Sequence, residues 1–210
     1  MAVADPSLVA EPSLVAELRA AIGDGNVLDD PTSLRLYGHD ASTYRGDAPP
    51  VVCLPGGRGV GQRGGPAGVA AVVRGARRHG RPFVARGSGT GLAGGAVPLD
   101  GAVVVSTTRM DRIVSVDPDA RVAWVQPGVL NLDLTRAVRR HGLHFAPDPS
   151  SQQACTIGGN VANNSGGPHC LASGVTSAHV LAVQVVLPDG DVVELGGEEA
   201  EPAGYDLRGA

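Results

Sequence analysis

Residues 86–95 restrict the fold and the ligand of this chain more strongly than any other segment. They read Arg-Gly-Ser-Gly-Thr-Gly-Leu-Ala-Gly-Gly and follow directly on Pro82–Ala85, a short run that predicts a buried strand. Glycine accepts conformations that turn consecutive backbone N–H groups toward one concavity, where they can bind phosphate oxygens. A flexible linker is the alternative, but linkers do not follow a buried strand so closely. The segment therefore predicts an anion-binding loop at the end of a strand.

A second polar segment spans residues 147–167 and ends in Gly-Gly-Asn-Val-Ala-Asn-Asn-Ser-Gly-Gly. It holds many hydrogen-bonding side chains and few charges. Ile157, Val161 and Ala162 give it an apolar inward face, which argues against a plain surface loop. Such a segment suits a large ligand that carries hydroxyls, carbonyls and one diphosphate.

A third glycine-rich stretch, Gly59 to Gly64, matches the GxGxxG fingerprint of NAD-binding Rossmann domains. Two features disfavour that interpretation. The fingerprint should follow its strand at once, whereas Pro55 to Arg58 separate the two here. The acid that holds the ribose hydroxyl should lie about 20 residues further on, but no Asp or Glu occurs between Asp47 and Asp100. A Rossmann NAD-binding protein stays the less favoured alternative.

The order of predicted elements indicates an α+β fold with two lobes. A βαβ unit comes first and forms the smaller lobe, and antiparallel strands with flanking helices form the larger one. The predicted elements are a strand at Val51–Leu54, an amphipathic helix at Val69–His79, strands at Pro82–Ala85 and Ala102–Ser106, hairpins at 113–125 and 180–195, and a helix at Leu130–His141. Arg74, Arg77 and Arg78 are expected on the solvated face of the first helix. We place an N-terminal helical segment at 1–46 and a ligand-binding domain at 47–210.

Composition excludes several chemistries. All 17 basic residues are Arg, so the chain can offer no P-loop lysine and no Schiff base. A net charge of −4 disfavours a nucleic-acid surface. His141 and His144 have helical spacing, but no nearby acid or Cys completes a metal site, and we predict no metal. Without an apolar run of about 20 residues or a signal peptide, no transmembrane segment is predicted and we expect a cytoplasmic protein.

Four motifs in fixed order carry a family resemblance. They are the segments at 86–95 and 147–167, Val-Leu-Ala-Val-Gln-Val-Val-Leu-Pro-Asp-Gly-Asp-Val-Val-Glu-Leu-Gly-Gly at 180–197, and Gly-Tyr-Asp-Leu-Arg-Gly at 204–209. The chain resembles FAD-binding domains of the vanillyl-alcohol-oxidase and p-cresol-methylhydroxylase (PCMH) type, and more narrowly those of the D-lactate dehydrogenase and glycolate oxidase group. The resemblance covers about residues 25–209 and implies a two-lobed PCMH-type FAD-binding domain at 47–210.

The resemblance also implies which residues bind the cofactor. In this family the first glycine loop wraps the FAD diphosphate, and the second segment runs along the flavin and its ribityl chain. We therefore predict that the following residues contact FAD: Arg86, Gly87, Ser88, Gly89, Thr90, Gly91, Ser150, Ser151, Thr156, Gly158, Gly159, Asn163 and Gly166. Covalent relatives carry a His in the first glycine loop, whereas residues 86–95 contain neither His nor Cys, so non-covalent binding is predicted.

The function that the resemblance implies is oxidation of a D-2-hydroxy acid such as D-lactate or glycolate, with hydride transfer from its α-carbon to the flavin. Relatives continue past the position of Ala210 into a further flavin-binding motif and a substrate domain. We therefore expect a chain that is incomplete at its C-terminus, lacks catalytic residues and is inactive alone. The alternative is a truncated or split FAD-binding module that needs a partner chain to supply the substrate domain.

Overall fold

The computed structural model describes residues 10–56 and 65–197 and has the predicted α+β organisation. The GxGxxG stretch at 59–64 and the motif at 204–209 lie outside the described residues. The helices are α1 Pro12–Ile22, α2 Pro31–Arg35, α3 Pro66–Arg78, α4 Asn131–Val138, α5 Ile157–Ala162 and α6 Cys170–Ser173. The strands are β1 Val27–Leu28, β2 Val52–Cys53, β3 Phe83–Arg86, β4 Val103–Ser106, β5 Ile113–Asp117, β6 Val122–Val125, β7 Ala182–Val186 and β8 Val192–Gly196.

The first lobe is built on a four-stranded sheet in the order β1-β2-β4-β3. Strands β2, β4 and β3 run parallel, and β1 pairs antiparallel with β2. The predicted βαβ unit is present, with β4 inserted between its two strands. Strand β3 is therefore an edge strand, and residues 86–95 lie at its carboxyl end, where ligand-binding loops of parallel sheets are found.

At strands β2 and β4 the side chains on both faces of the sheet are buried. Successive side chains of a strand point to opposite sides, so each face needs its own cover. Helices α1 and α3 cover one face and form the main core with Val51, Cys53, Val103 and Val105. Leu34 of α2 covers the other face and packs with Val52, Leu54 and Val104. Each fully buried Val or Leu contributes about 1.5–3 kcal/mol relative to an exposed one. The sheet is thus a rigid base for the loops that leave it.

The second lobe packs helices α4 and α5 against the β5–β6 hairpin. The buried cluster comprises Val129, Leu134, Val138 and Ile157. Leu134 and Val138 are one helical turn apart, as the predicted inward face of α4 requires. The helix ends earlier than predicted, because residues Arg139–His141 tighten into a 3₁₀ turn that Gly142 terminates with φ 72°. The position of α5, which carries the second polar segment, is fixed by this cluster.

The β7–β8 hairpin contacts α3 through an arginine that the sequence had placed in solvent. Arg74 Nη1 donates to the carbonyl of Gly190 at 2.6 Å, in the turn between the two strands. Arg78 Nε donates to Glu17 Oε1 at 3.0 Å and so ties α3 to α1. Arg74, Arg77 and Arg78 are exposed, as predicted. Periodicity does not show the contacts that Arg74 and Arg78 make with neighbouring elements. Within the described ranges, no helix is long and apolar enough to cross a membrane.

Candidate functional site

The loop at residues 86–95 presents a row of free backbone donors. None of the N–H groups from Gly87 to Gly95 donates to an acceptor within the described part of the chain. Gly89 and Gly94 both have a φ of 77°, which is unfavourable for other residues. Ala41 N–H donates to the Gly89 carbonyl at 3.0 Å and holds the loop from the opposite side. The loop can therefore offer several N–H donors to one ligand.

Arg86, at the head of the loop, is buried and is bound by the protein itself. Its Nη1 donates to the His39 carbonyl at 2.8 Å, and its guanidinium lies 5.4 Å from the centre of the Tyr37 ring. Burial lowers the pKa of Arg86, while Tyr37 and Asp40 act in the opposite sense. Burial also acts to raise the pKa of Asp40, but hydrogen bonds from Ser42 and the charge of Arg86 outweigh it, so the pKa is lowered. The guanidinium anchors the loop, and its predicted contact with FAD stays a prediction.

Two positions of the loop require glycine, because neighbouring side-chain atoms lie where a Cβ would stand. A Cβ on Gly87 would overlap Thr156 Oγ1, and a Cβ on Gly89 would overlap the Arg86 guanidinium. Any larger residue would have to push away the cap of α5 or the buried arginine. Ser88 is exposed and Thr90 is half-buried, so their hydroxyls lie at the surface of the same loop.

The segment at 147–167 is organised around α5. Thr156 caps this helix, and its Oγ1 accepts a hydrogen bond from Gly159 N–H at 3.3 Å. Gly158 packs so closely on Pro127 that a Cβ would lie 2.5 Å from the proline Cβ. Gly158 and Gly159 thus have packing roles in the fold, while their contact with the cofactor stays a prediction.

The two polar segments meet face to face. Thr156 lies against Gly87, and the side-chain amide of Asn163 lies 3.6 Å from where a Cβ on Gly91 would stand. Asn163 is held in place because its Nδ2 donates to the Gly159 carbonyl at 3.0 Å. Two segments that are far apart in sequence, Gly87–Gly91 and Thr156–Asn163, therefore border one shared site.

The remaining predicted residues flank this contact. Ser151 lies in the turn before α5, where its carbonyl accepts from Ala154 N–H at 2.7 Å, and the exposed Ser150 precedes it. Gly166 follows α5 and packs on Cys170 and Val175. Among the described residues, no hydrogen bond joins these three to the loop at 86–95, so their role toward the cofactor stays a prediction.

Two buried asparagines near the polar segment could not be predicted from the sequence. Asn131 and Asn160 are each 1% exposed, among the lowest values in the described chain. Asn131 Nδ2 donates to the Pro147 carbonyl at 2.9 Å and so fixes the start of the polar segment. Asn160 Nδ2 has no hydrogen-bond partner among the described residues. A buried Asn is unusual enough to attract attention, but its burial cannot be read from local sequence.

Hydrogen bonds between Asp148 and His169 join the two ends of the polar segment. His169 Nδ1 lies 2.5 Å from Asp148 Oδ2, and His169 N–H donates to Asp148 Oδ1 at 3.3 Å. These hydrogen bonds from His169 lower the pKa of Asp148, against the opposing effect of desolvation. A Cβ on Gly167 would overlap the Asp148 carbonyl, so the two ends are in close contact. The contact between Asp148 and His169 brings together the stretches of chain that precede and follow α5.

The chemistry of the shared site fits an anion that bears only acceptor oxygens. The loop offers backbone N–H groups and two hydroxyls, and residues 86–95 contain no Asp or Glu. A diphosphate has acceptor oxygens alone and a negative charge, which backbone N–H nests stabilise. The residues present therefore fit the diphosphate of a dinucleotide such as FAD.

Comparison with known proteins identifies the same cofactor. Glycolate oxidase subunit GlcD of Escherichia coli (strain K12) is 49% identical over 126 residues, which are 60% of this chain and 25% of that protein. D-Lactate dehydrogenase of Anaerostipes hadrus is 41% identical over 140 residues, which are 66% of this chain and 29% of that enzyme. The chain thus spans less than a third of the length of these two relatives.

A solved structure of p-cresol methylhydroxylase with substrate bound superimposes with a TM-score of 0.77 at 21% identity, covering 95% of this chain and 40% of that one. This likeness confirms the PCMH-type fold. The family profile described as FAD binding domain matches residues 64–196 and so leaves out nearly all of the GxGxxG stretch, which disfavours the Rossmann alternative. From this match, we conclude that the chain belongs to the FAD-binding domain family.

Proposed function

We propose that this chain holds FAD non-covalently as the cofactor-binding domain of an oxidoreductase that acts on D-2-hydroxy acids. The observation that carries the proposal is the shared site, where the loop Gly87–Gly91, with N–H groups that have no acceptor among the described residues, lies against Thr156 and Asn163. The names of the two relatives, a glycolate oxidase subunit and a D-lactate dehydrogenase, support hydroxy acids as the substrate class.

The chain's own residues would bind and orient the cofactor. The N–H groups of the loop would bind the diphosphate. Thr156, the cap of α5, would hold the loop in place by packing against Gly87. FAD, when bound, supplies the acceptor for a hydride from the α-carbon of the substrate. None of the described residues is assigned as the base that takes the hydroxyl proton.

Non-covalent attachment is supported by the residues around the loop. Residues 86–95 contain no His or Cys that could form a bond to the flavin. His39 meets Arg86 through its backbone carbonyl, and Cys155 is buried beside the cap of α5.

The E. coli relative is named as a subunit, and we propose that a second polypeptide segment or partner chain completes the substrate site here. A small 2-hydroxy acid would then bind between the two parts. A cytoplasmic location stays a prediction from the sequence.

The proposed function can be tested by anaerobic reduction of the flavin. We would fuse the chain to the substrate-binding part of a D-lactate dehydrogenase relative, load it with FAD, and add D-lactate or glycolate. The visible absorbance band of the oxidised flavin should be lost on mixing. L-Lactate is the matched control, because it has the same composition and charge with the opposite configuration.

Loss of the band with D-lactate and its persistence with L-lactate is the expected result. Flavin that binds but resists every D-2-hydroxy acid would show that this domain serves another reaction. A chain that retains no flavin would contradict the cofactor assignment itself.

A further inference from the structure

Asn160 is a buried amide that the fold leaves without a partner. It lies in α5 and is 1% exposed, yet Nδ2 finds no acceptor among the described residues. An unsatisfied buried donor destabilises a protein, and proteins keep such groups mainly where a ligand or an ordered water completes them. The backbone of Asn160 is fully used, since its N–H donates to the Thr156 carbonyl and its carbonyl accepts from Ser165 N–H. Only the side chain lacks a partner.

The position of Asn160 along α5 places it at the shared site. Asn160 comes four residues after Thr156 and three before Asn163. Residues three and four apart lie on the same face of a helix. Thr156 lies against Gly87 and Asn163 lies against Gly91, so this face is turned to the glycine loop. By the helical repeat, Asn160 therefore falls between these two contact residues on the same face of α5.

The glycine loop that this face contacts carries backbone donors without a partner among the described residues. The backbone N–H groups of Gly87–Gly91 are free in the described structure, and the loop contributes no carboxylate. An amide N–H added to this set needs an acceptor that all the donors can share. A phosphate group, with several acceptor oxygens and a negative charge, meets that requirement.

We propose that the Asn160 side-chain amide donates to the diphosphate of FAD and completes the donor set of the glycine loop. This inference rests on the proposed binding of FAD by this chain. Asn160 is thus retained for binding, and it lowers the stability of the cofactor-free protein.

Asn131 provides the matched comparison. It is the same residue type with the same 1% exposure, but its Nδ2 donates to the Pro147 carbonyl at 2.9 Å. Replacement by leucine, which keeps the branching at Cγ but has no polar atoms, should therefore act differently at the two sites. Asn131→Leu leaves a buried carbonyl unpaired and should lower the melting temperature of the cofactor-free protein. Asn160→Leu removes an unpaired donor and should leave that temperature unchanged or raise it.

The experiment combines melting temperatures without cofactor with dissociation constants for FAD and for riboflavin, which lacks the diphosphate. Asn160→Leu should weaken FAD binding about tenfold or more, as expected for a hydrogen bond to a charged group, and change riboflavin binding by less than about threefold. Asn160→Asp, nearly the same shape with a negative charge, should weaken FAD binding at least as much. The Asn160→Asp variant also tests the proposal if the leucine variant does not fold.

The outcomes separate the two proposals. Wild-type protein that binds no FAD would overturn the proposed function. Wild-type binding with unchanged FAD affinity in both Asn160 variants would overturn the role of Asn160 alone. An equal loss of affinity for FAD and riboflavin would contradict its placement at the diphosphate. A fall in the melting temperature of Asn160→Leu matching that of Asn131→Leu would show a structural role instead.

Discussion

At the scale of single residues, the site depends on two glycines, because a Cβ at either position would overlap a neighbouring residue. Gly87 and Gly89 lack a Cβ where Thr156 and Arg86 leave no space for one. The arginine at the end of β3 is used inside the protein, because its guanidinium donates to the His39 carbonyl and lies over the Tyr37 ring. The positive charge that the sequence suggested for ligand binding thus first fixes the loop.

Gly89→Ala should reduce FAD affinity at least about tenfold. The added methyl group would displace the Arg86 guanidinium and strain a backbone with φ 77°, so the loop would lose its shape. Gly142→Ala is the control, since Gly142 has φ 72° and open space around its Cβ position. Both variants should lose about 1 kcal/mol of stability from backbone strain, and Gly89→Ala should lose more because it also displaces Arg86. Urea unfolding measures both losses. Equal FAD affinity in the two variants would show that the loop conformation at Gly89 does not matter for FAD binding.

The Asp148–His169 pair should make the stability of the polar segment depend on acid pH. The pKa of Asp148 lies below its ordinary value of 3.8, chiefly through the hydrogen bond from His169. A carboxyl with a lowered folded-state pKa stabilises the fold above its unfolded-state pKa, and that contribution is lost as pH falls through the folded-state pKa.

Asp148→Asn should therefore remove part of the stability at neutral pH and flatten its decline as the pH falls below about 4. Thermal melting at a series of pH values measures this. Asp111→Asn, at an exposed position, is the control and should keep the wild-type profile. Parallel profiles for Asp148→Asn and wild type would refute the pairing.

At the scale of elements, α5 links the two polar segments. Its cap residue Thr156 is 2% exposed, accepts from Gly159 N–H, and contacts Gly87. A helix as short as Ile157–Ala162 makes few hydrogen bonds of its own, so the cap and the packing of Ile157 fix its position.

Thr156→Ala should lower stability by about 1 kcal/mol through the lost cap and should weaken FAD binding as well. Thr156→Ser keeps the capping oxygen and should restore most of both properties. Urea unfolding and flavin-fluorescence titration measure the two effects. A serine variant as impaired as the alanine variant would indicate that the threonine methyl group, and not the cap, is what matters.

Local patterns predicted most elements, because their burial has a regular period. The helix at 66–78, the strands at 83–86 and 103–106 and both hairpins agree with the periodicity of their apolar residues. The order of strands in the sheet could not be predicted from the sequence, because the insertion of β4 between β2 and β3 depends on pairing between strands that are far apart in the chain. The site was also predictable only in part. Gly87 and Thr156 lie within motifs that resemble those of the family, whereas the burial of Asn160 and the hydrogen-bond partner of Arg74 depend on the folded chain.

At the scale of the whole molecule, the cofactor would connect two separately packed units. The loop at 86–95 belongs to the four-stranded sheet, and α5 belongs to the cluster with α4 and the β5–β6 hairpin. A ligand bound by both should stabilise their contact. At a free FAD concentration about 100 times the dissociation constant the gain is about 2.7 kcal/mol.

Heat or acid denaturation should release all flavin into the supernatant. No His or Cys within residues 86–95 can form a covalent link, so nothing should hold the cofactor once the fold is lost. The absorbance of the supernatant and of the washed precipitate measures the partition. Flavin that stays with the precipitated polypeptide through repeated washing would contradict non-covalent binding.

The visible spectrum after desalting shows whether the two polar segments together bind FAD. Purified wild-type protein incubated with FAD should keep flavin absorbance after gel filtration, close to one flavin per chain. The Gly89→Ala variant, still folded by circular dichroism, should elute without it. A colourless wild-type protein, or equal flavin in the wild type and the variant, would contradict the claim.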